Sequence, residues 1–409
     1  MSDAAFRPDR VGLERALDAL LKAAYDPEAC ELPERLKEDG LGELPVIDLL
    51  APLVLGRAQR LGAPTAFAHM DPPTPWITWA MCMWNAALNQ NLLHPDVAPM
   101  ARRIERRVLE WLAPFFGMNG GHMTPGSTVS NLTALWAARE IKGIDRVVAS
   151  AAAHVSVAKS AHLLGLRFQT VPTDNSGRLN CQELPEDMSG AALVLTAGTT
   201  SAGAIDALEP GNRGAWTHID AAWAGPLRLS DRYRDRLAGM ESADSVAVSA
   251  HKWLFQPKES GLVFFRDTDE AHRAVSFGAD YLAVPNTGLL GSHGANAVPL
   301  LATLAAWGRK GVAERIDRAM ARADALIDYL FSQPDVEVFS PNASGVILWR
   351  IRSGIAPEDI VKRLSAGSAS IASAGGVQWV RHVAANPDAD VDRLTRDIGV
   401  ILAGNSEAS

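Results

Sequence analysis

The 409-residue chain has only three cysteines, Cys30, Cys82 and Cys181, scattered, odd in number and without a C-x-x-C pair. That excludes a disulfide framework and reads as reduced thiols of a cytosolic kind. Long apolar runs are also missing. A stretch such as Ala51-Pro-Leu-Val-Leu-Gly56 is far too short to span a bilayer. The start, Met1-Ser-Asp-Ala-Ala-Phe6, has no basic segment ahead of an apolar one, so no signal peptide is expected and cytoplasm is the default location. Runs of lysine and arginine are absent and the formal net charge is −8, which argues against nucleic-acid and membrane partners. Neither G-x-G-x-x-G nor G-x-x-x-x-G-K-[ST] occurs, so a nucleotide-binding dehydrogenase is disfavoured. What remains, 47% hydrophobic and 21% charged residues, is an ordinary globular composition, and the length suits two to three domains.

The pattern along the chain changes twice. Residues 11–24 place Leu13, Leu17, Leu20, Leu21 and Ala24 on one helical stripe that needs a covering partner. A proline-rich stretch (Pro64, Pro72, Pro73, Pro75) predicts irregular chain, and 93–116 predicts a helix. From about 125 to 268, short β-rich runs (147–150, 167–171, 191–196, 216–219, 245–249 and 261–265) alternate with helical stretches. This implies an α/β fold with a mainly parallel sheet flanked by helices. After about 310 a helix at 312–331, strands at 336–339, 346–352 and 377–382, a helix at 357–365 and a last helix from Asp390 predict a small α+β domain. The tail from Gly404 is expected to fray. The expected division is an N-terminal helical, dimerising segment (1–84), a large domain (85–310) and a small C-terminal domain (311–409).

Four segments carry chemistry, each of which alone admits an ordinary structural reading. Ser249-Ala-His-Lys252-Trp253 ends a strand and places a lysine amine at the edge of the sheet where open α/β folds bind ligands. Such an amine can bond an aldehyde as a Schiff base when it is neutral. His218-Ile-Asp220-Ala-Ala222-Trp223 also ends a strand. Its carboxylate suits a protonated ring nitrogen, and Ala222 leaves room for a flat ring. Thr124-Pro-Gly-Ser127-Thr128-Val-Ser-Asn131 turns into a helix N-terminus, a ready phosphate site. Ala153-His154-Val-Ser-Val157 offers an imidazole to stack on an aromatic ring and to assist proton transfer. Aldehyde, pyridinium and phosphate together are pyridoxal 5'-phosphate; no metal ligands are expected.

On these segments the chain resembles the group II pyridoxal-phosphate-dependent decarboxylases, which include aromatic-L-amino-acid, glutamate and diaminobutyrate decarboxylases. His218-Ile-Asp-Ala-Ala-Trp223 is similar to the family's H-V-D-A-A-[WY], and Asp244-Ser-Val-Ala-Val-Ser-Ala-His-Lys-Trp253 to its D-S-x(5)-H-K-W. Asn89-Gln-Asn-Leu-Leu93, Gly126–Leu135, Thr196-Ala-Gly-Thr-Thr200 and Val380-Arg381 with Asn386-Pro-Asp388 are similar too. The resemblance implies the aspartate-aminotransferase fold (fold type I) and a homodimer with active sites at the subunit boundary. It implies Lys252 as the Schiff-base lysine, Asp220 as the pyridinium partner and His154 stacked on the ring. Ser127, Thr128 and His251 would hold the phosphate, Thr200 would lie beside the ring's polar substituents, and Ala222 beneath the ring.

The implied activity is α-decarboxylation of an L-amino acid. No arginine stands out as a partner for a distal carboxylate, so an aromatic or other apolar substrate is preferred. Phe67-Ala-His69-Met70-Asp71 is expected near the substrate or as plain core. The segment from Trp253 to Gly291 is shorter than the family's mobile loop, and its only tyrosine, Tyr281, does not align with the family's proton donor. The family's basic segment stands here as Gly291-Ser292-His293-Gly-Ala295, from which Ser292 or His293 is expected to reach a neighbouring subunit. These departures leave open oxidation to an aldehyde, transamination, Cα–Cβ cleavage, or cofactor binding without catalysis.

Overall fold

The computed structural model describes residues 7–22, 32, 34–36, 38–352 and 355–406, and its contacts divide the chain into two units, Met1–Arg60 and Leu61–Ser409. The first unit holds α1 (Arg10–Leu21) and α2 (Glu43–Leu55). Asp9 caps α1 by accepting from the Val11 N–H at 3.0 Å, and Arg15 ties it to Asp48 of α2. Ala24 and Cys30 lie outside the described residues.

In the second unit α3 (Trp76–Leu88) and α4 (Pro99–Leu112) precede a seven-stranded sheet of β1 (Gly120–Thr124), β2 (Arg146–Ser150), β3 (Arg167–Val171), β4 (Ala191–Thr196), β5 (Trp216–Asp220), β6 (Ser245–Ser249) and β7 (Gly261–Phe265). The order is β1-β7-β6-β5-β4-β2-β3, and only β7 runs against the others. α5 (Ser127–Lys142) connects β1 to β2, and α6 (Val155–Leu163) connects β2 to β3. The two-residue period of β4 sends Leu193 and Leu195 into one apolar core and Ala192 and Val194 into the other, where α5 packs Ala134, Leu135 and Ala138. Burial on both faces is why β4 reads as an almost unbroken apolar run.

α7 (Thr268–Ala274) and the short pair β8 (Ser276–Phe277) and β9 (Asn286–Thr287) lead to α8 (Ala297–Phe331). The expected helix from 312 thus begins fifteen residues earlier and bends at Gly308, whose φ of 62° and ψ of 178° break the helical backbone. Likewise the helix expected over 93–116 starts only at Pro99, and its last turn tightens to a 3-10 turn at Ala113–Phe116. Of the tail expected to fray from Gly404, residues 404–406 close α10 (Val391–Ser406) and 407–409 lie outside the described residues. The sheet β10 (Val336–Val338), β11 (Val346–Ile351), β12 (Ser370–Ala374) and β13 (Val377–Val383) is antiparallel throughout, in the order β10-β11-β13-β12, with α9 (Pro357–Arg363) beside it. Among the described residues no helix is long and apolar enough to cross a membrane.

His382 of β13 is fully buried, its ring parallel to Trp349 at 6.3 Å between centroids. Its Nδ1–H donates to the Ser368 carbonyl at 2.7 Å, and burial pushes its pKa down to about 4. The unfolded chain, with an ordinary histidine near 6.5, therefore takes up a proton that the folded chain refuses. Stability present at neutral pH is lost as the pH falls from about 6.5 towards 4. Melting temperatures measured from pH 7.5 to 5 are expected to fall with acid, and less steeply in His382→Gln; equal slopes would contradict this.

Candidate cofactor and active site

Five parallel strands end at one edge of the large sheet, and each delivers a chemical group there. β6 ends at Ser249 and runs into Lys252, β5 ends at Asp220, β4 at Thr196, β2 leads to His154, and β1 to the Ser127 start of α5. The carboxyl edge of an open α/β sheet is where backbone and helix ends leave a crevice. The segments singled out in the sequence thus meet because strand order brings β5 beside β6 and β7 places β1 near them.

Two tryptophans lock the central pair. Trp223 after β5 and Trp253 after β6 lie 4.2 Å apart between ring centroids, and both are fully buried. Trp223 Nε1–H donates to the Ser344 carbonyl at 2.6 Å and Trp253 Nε1–H to the Ala384 carbonyl at 3.2 Å, so both hold the sheet edge against the β11–β13 layer. Gly198, at φ +94°, is required here because a Cβ would lie 2.8 Å from Trp223 Cδ1.

Lys252 is only partly exposed and follows directly on the buried end of β6. Burial pushes its amine pKa down, opposed by the nearby carboxylates of Asp220 and Asp71 and reinforced by Lys258 and Arg381. The neutral amine is the form that bonds a carbonyl carbon. Asp220 is 3% exposed, and both of its oxygens accept: Oδ1 from the Ala222 N–H at 3.1 Å and Oδ2 from Asn131 Nδ2–H at 2.9 Å. Ala222, buried, presents only a methyl group. His154 is exposed; it caps α6, its Nδ1 accepting from the Ser156 N–H at 3.2 Å, which leaves Nε2 free.

The turn into α5 is built from close backbone approach. A Cβ on Gly261 would lie 2.7 Å from Gly126 Cα, and Gly126 itself faces His251 Cε1. The N–H groups of Ser127 and Thr128 open α5, a 16-residue helix whose dipole favours an anion. Ser127 is half-buried and Thr128 exposed. His251 Nδ1–H donates to the Ser260 carbonyl at 3.0 Å; burial, then Lys258 and Lys252, push its pKa down to about 4. The hydroxyls of Ser249, Thr196 and Ser260 are buried without a hydrogen-bond partner among the described residues. Such orphans are costly and mark places where a further polar group belongs. Amine, buried acceptor, anion-binding turn and spare donors fit pyridoxal phosphate.

Other expectations fall at different distances from this edge. The Thr200 side chain is exposed, and its carbonyl accepts from Arg381 Nε at 3.0 Å. Arg381 Nη1 also donates to the Ala68 carbonyl at 3.0 Å, so this buried guanidinium pins the Phe67–Asp71 segment beside the Lys252 edge. Within that segment Phe67 and Met70 are buried, His69 is exposed, and Asp71 pairs with Lys258. Ser292 accepts from Asn91 Nδ2–H at 3.1 Å, and the His293 carbonyl from the Leu92 N–H at 3.0 Å. Tyr281 is exposed. Sequence reasoning missed Asn131, His218 and Arg381 as polar groups of the site. The signal for the first two was their place inside the 124–131 and 218–223 segments already singled out.

The family model described as the pyridoxal-dependent decarboxylase conserved domain matches residues 32–352. The chain is 32% identical over 358 residues to the L-2,4-diaminobutyrate decarboxylase of Rhizobium meliloti (strain 1021), covering 79% of this chain and 72% of that protein. It is 26% identical over 371 residues to the aromatic-L-amino-acid decarboxylase of Bacillus atrophaeus, covering 82% of this chain and 77% of that protein. Its fold matches the crystal structure of Oryza sativa TDC with PLP and tryptamine at a TM-score of 0.85 and 20% identity, over 98% of this chain and 97% of that one. With a match over most of its length, and a sheet edge whose groups fit the cofactor, the chain belongs to the pyridoxal-dependent decarboxylase family, as an amino-acid carboxy-lyase that uses pyridoxal 5'-phosphate.

Proposed function

We propose that the chain releases the α-carboxylate of an L-amino acid as CO2, with Lys252 as the cofactor-bearing lysine. The observation that carries this is the pairing of a half-buried amine just past β6, its pKa pushed down by burial, with a buried carboxylate at the end of the neighbouring β5. Asp220 would face the ring nitrogen. Ser127, Thr128 and His251 would hold the phosphate, Ala222 and His154 would lie against opposite faces of the ring, and Thr200 would lie at its edge. The cofactor supplies an electron sink for the bond that breaks at Cα; the protein selects the bond by orientation. Lys252 would hold the cofactor through its amine, and His154 would offer Nε2 for proton movement.

An aromatic or other apolar side chain is supported by buried Phe67 and Met70 and by the commitment of Arg381 to backbone carbonyls. A distal ammonium is the second reading, supported by the Asp71 carboxylate next to the Lys252 amine and by the diaminobutyrate relative. The exposed position of Tyr281 favours asking whether an aldehyde also forms. A homodimer is supported by the exposed stripe Trp76, Trp79, Met83, Trp84 and Leu88 along α3, together with exposed Leu13, Leu17 and Leu21 on α1. The division at 84/85 and 310/311, and a cytoplasmic location, complete the proposal.

An amino-acid panel scored for CO2, amine, aldehyde and keto acid is expected to yield CO2 with a stoichiometric amine, best from apolar substrates; amino-group transfer without CO2 would refute decarboxylation, and preference for diaminobutyrate would replace the substrate reading. Lys252→Ala is expected to abolish CO2 release, and wild-type turnover in that variant would refute the assignment. Gly261→Ala, by crowding Gly126, should weaken pyridoxal-phosphate binding about tenfold, or ~1.4 kcal/mol, with an unchanged affinity counting against the phosphate turn. Sedimentation is expected to give twice the chain mass, with Trp79→Glu/Trp84→Glu shifting it to the monomer; an unaltered assembly in the variant would exclude this face.

A further inference from the structure

A chain of hydrogen bonds runs behind the cofactor edge, and both of its ends have fixed direction. At one end Trp216 Nε1–H, which can only donate, meets Ser245 Oγ at 2.9 Å. At the other end the Asp220 carboxylate can only accept, and it takes Asn131 Nδ2–H at Oδ2, 2.9 Å away. Everything between them is then determined. With its nitrogen turned to Asp220, Asn131 presents Oδ1 to His218 Nε2 at 2.9 Å, so Nε2 carries the hydrogen. His218 Nδ1 is left bare and accepts from Ser245 Oγ–H at 2.8 Å, while that same oxygen accepts from Trp216. Burial pushes the His218 pKa down to about 4, in agreement with a neutral ring bearing one hydrogen.

The amide also branches. Its second Nδ2–H donates to Ser156 Oγ at 2.9 Å, and Ser156 Oγ–H then points to His154 Nδ1 at 2.8 Å. His154 therefore holds its remaining hydrogen on Nε2, the nitrogen left free. Asn131, His218 and Ser245 have no exposed surface, Ser156 has 1% and Trp216 has 5%, so water does not compete for these bonds. Each donor and each acceptor of Asn131 that the geometry uses is matched, and neither Asn131 nor His218 touches the open edge.

We propose that Asn131 and His218 are positioning residues of the decarboxylase, a single buried amide, oriented by the imidazole behind it, holding both the carboxylate and the imidazole that face the cofactor. The inference rests on the assignment of Asp220 and His154 to the ring. Loss of Asn131 releases Asp220 Oδ2 and Ser156 together. Loss of His218 leaves Asn131 free to flip its amide and present oxygen to oxygen at Asp220. Glutamine at 218 keeps the wiring, since it donates through its nitrogen and accepts through its oxygen.

The test is titration of apoenzyme with pyridoxal phosphate for wild type, Asn131→Ala, His218→Leu and His218→Gln, reading affinity, the induced circular dichroism of the bound cofactor, kcat and KM, with the melting temperature of each apoprotein as the fold control. Asn131→Ala and His218→Leu are expected to bind at least about tenfold more weakly, to lose or invert the dichroism band and to lower kcat with little change in KM. His218→Gln should return the dichroism to that of wild type. Should His218→Leu fail to fold, Asn131→Ala and His218→Gln still decide the matter. Folded Asn131→Ala with wild-type affinity, dichroism and kcat overturns the inference, as does His218→Gln behaving like a full loss. Wild type without saturable cofactor binding fails differently: it overturns the cofactor assignment, and the inference falls with it.

Discussion

A carboxylate at the end of a buried strand has to be held by donors, and nearly every feature of this active-site edge follows from how Asp220 is held. With 3% of its surface exposed, it draws one hydrogen bond from its own loop and one from the helix that begins at Ser127. Taking two acceptors out of water costs several kcal/mol if they are left unmatched. The bond from Asn131 ties α5, and with it the turn that opens that helix, to the end of β5.

The rest of the edge is arranged around the same need for fixed distances. The Trp223–Trp253 contact joins the two loops that carry Asp220 and Lys252, and the indole N–H groups reach carbonyls of the neighbouring antiparallel layer. Arg381 does the same for the Phe67–Asp71 segment, through backbone carbonyls rather than an ion pair. These bonds tie loops that are remote in sequence to the sheet edge. Their cost is small because the donors are rigid and already buried. The His154 and Thr200 side chains at this edge are exposed, His154 with its Nδ1 tied to Ser156.

Three central strands were legible because they are buried on both faces: 191–196, 245–249 and 261–265 carry small or apolar residues almost throughout. β1 was not, because Gly120-Gly121-His-Met-Thr124 reads as a turn; its glycine is demanded by a Cβ position 1.9 Å from the Val263 carbonyl, a tertiary constraint that leaves no periodic trace. α3 and α8 were missed or cut short for another reason. Their apolar residues surround much of the helix, so no single stripe marks where they begin, and Gly308 interrupts the second. Lys252 and Asp220 were legible from residue type and position at strand ends. Asn131 and His218 were not assigned a role, because a buried polar residue reveals its function only through partners 87 and 89 positions away.

The central claim is that one amine, at position 252, carries the cofactor. Borohydride reduction of the purified protein with pyridoxal phosphate, followed by proteolysis and mass spectrometry, tests it most directly. A pyridoxyl group found on the peptide containing Lys252, and lost in Lys252→Ala, is the predicted result. Label on another lysine, or none at all, would contradict it.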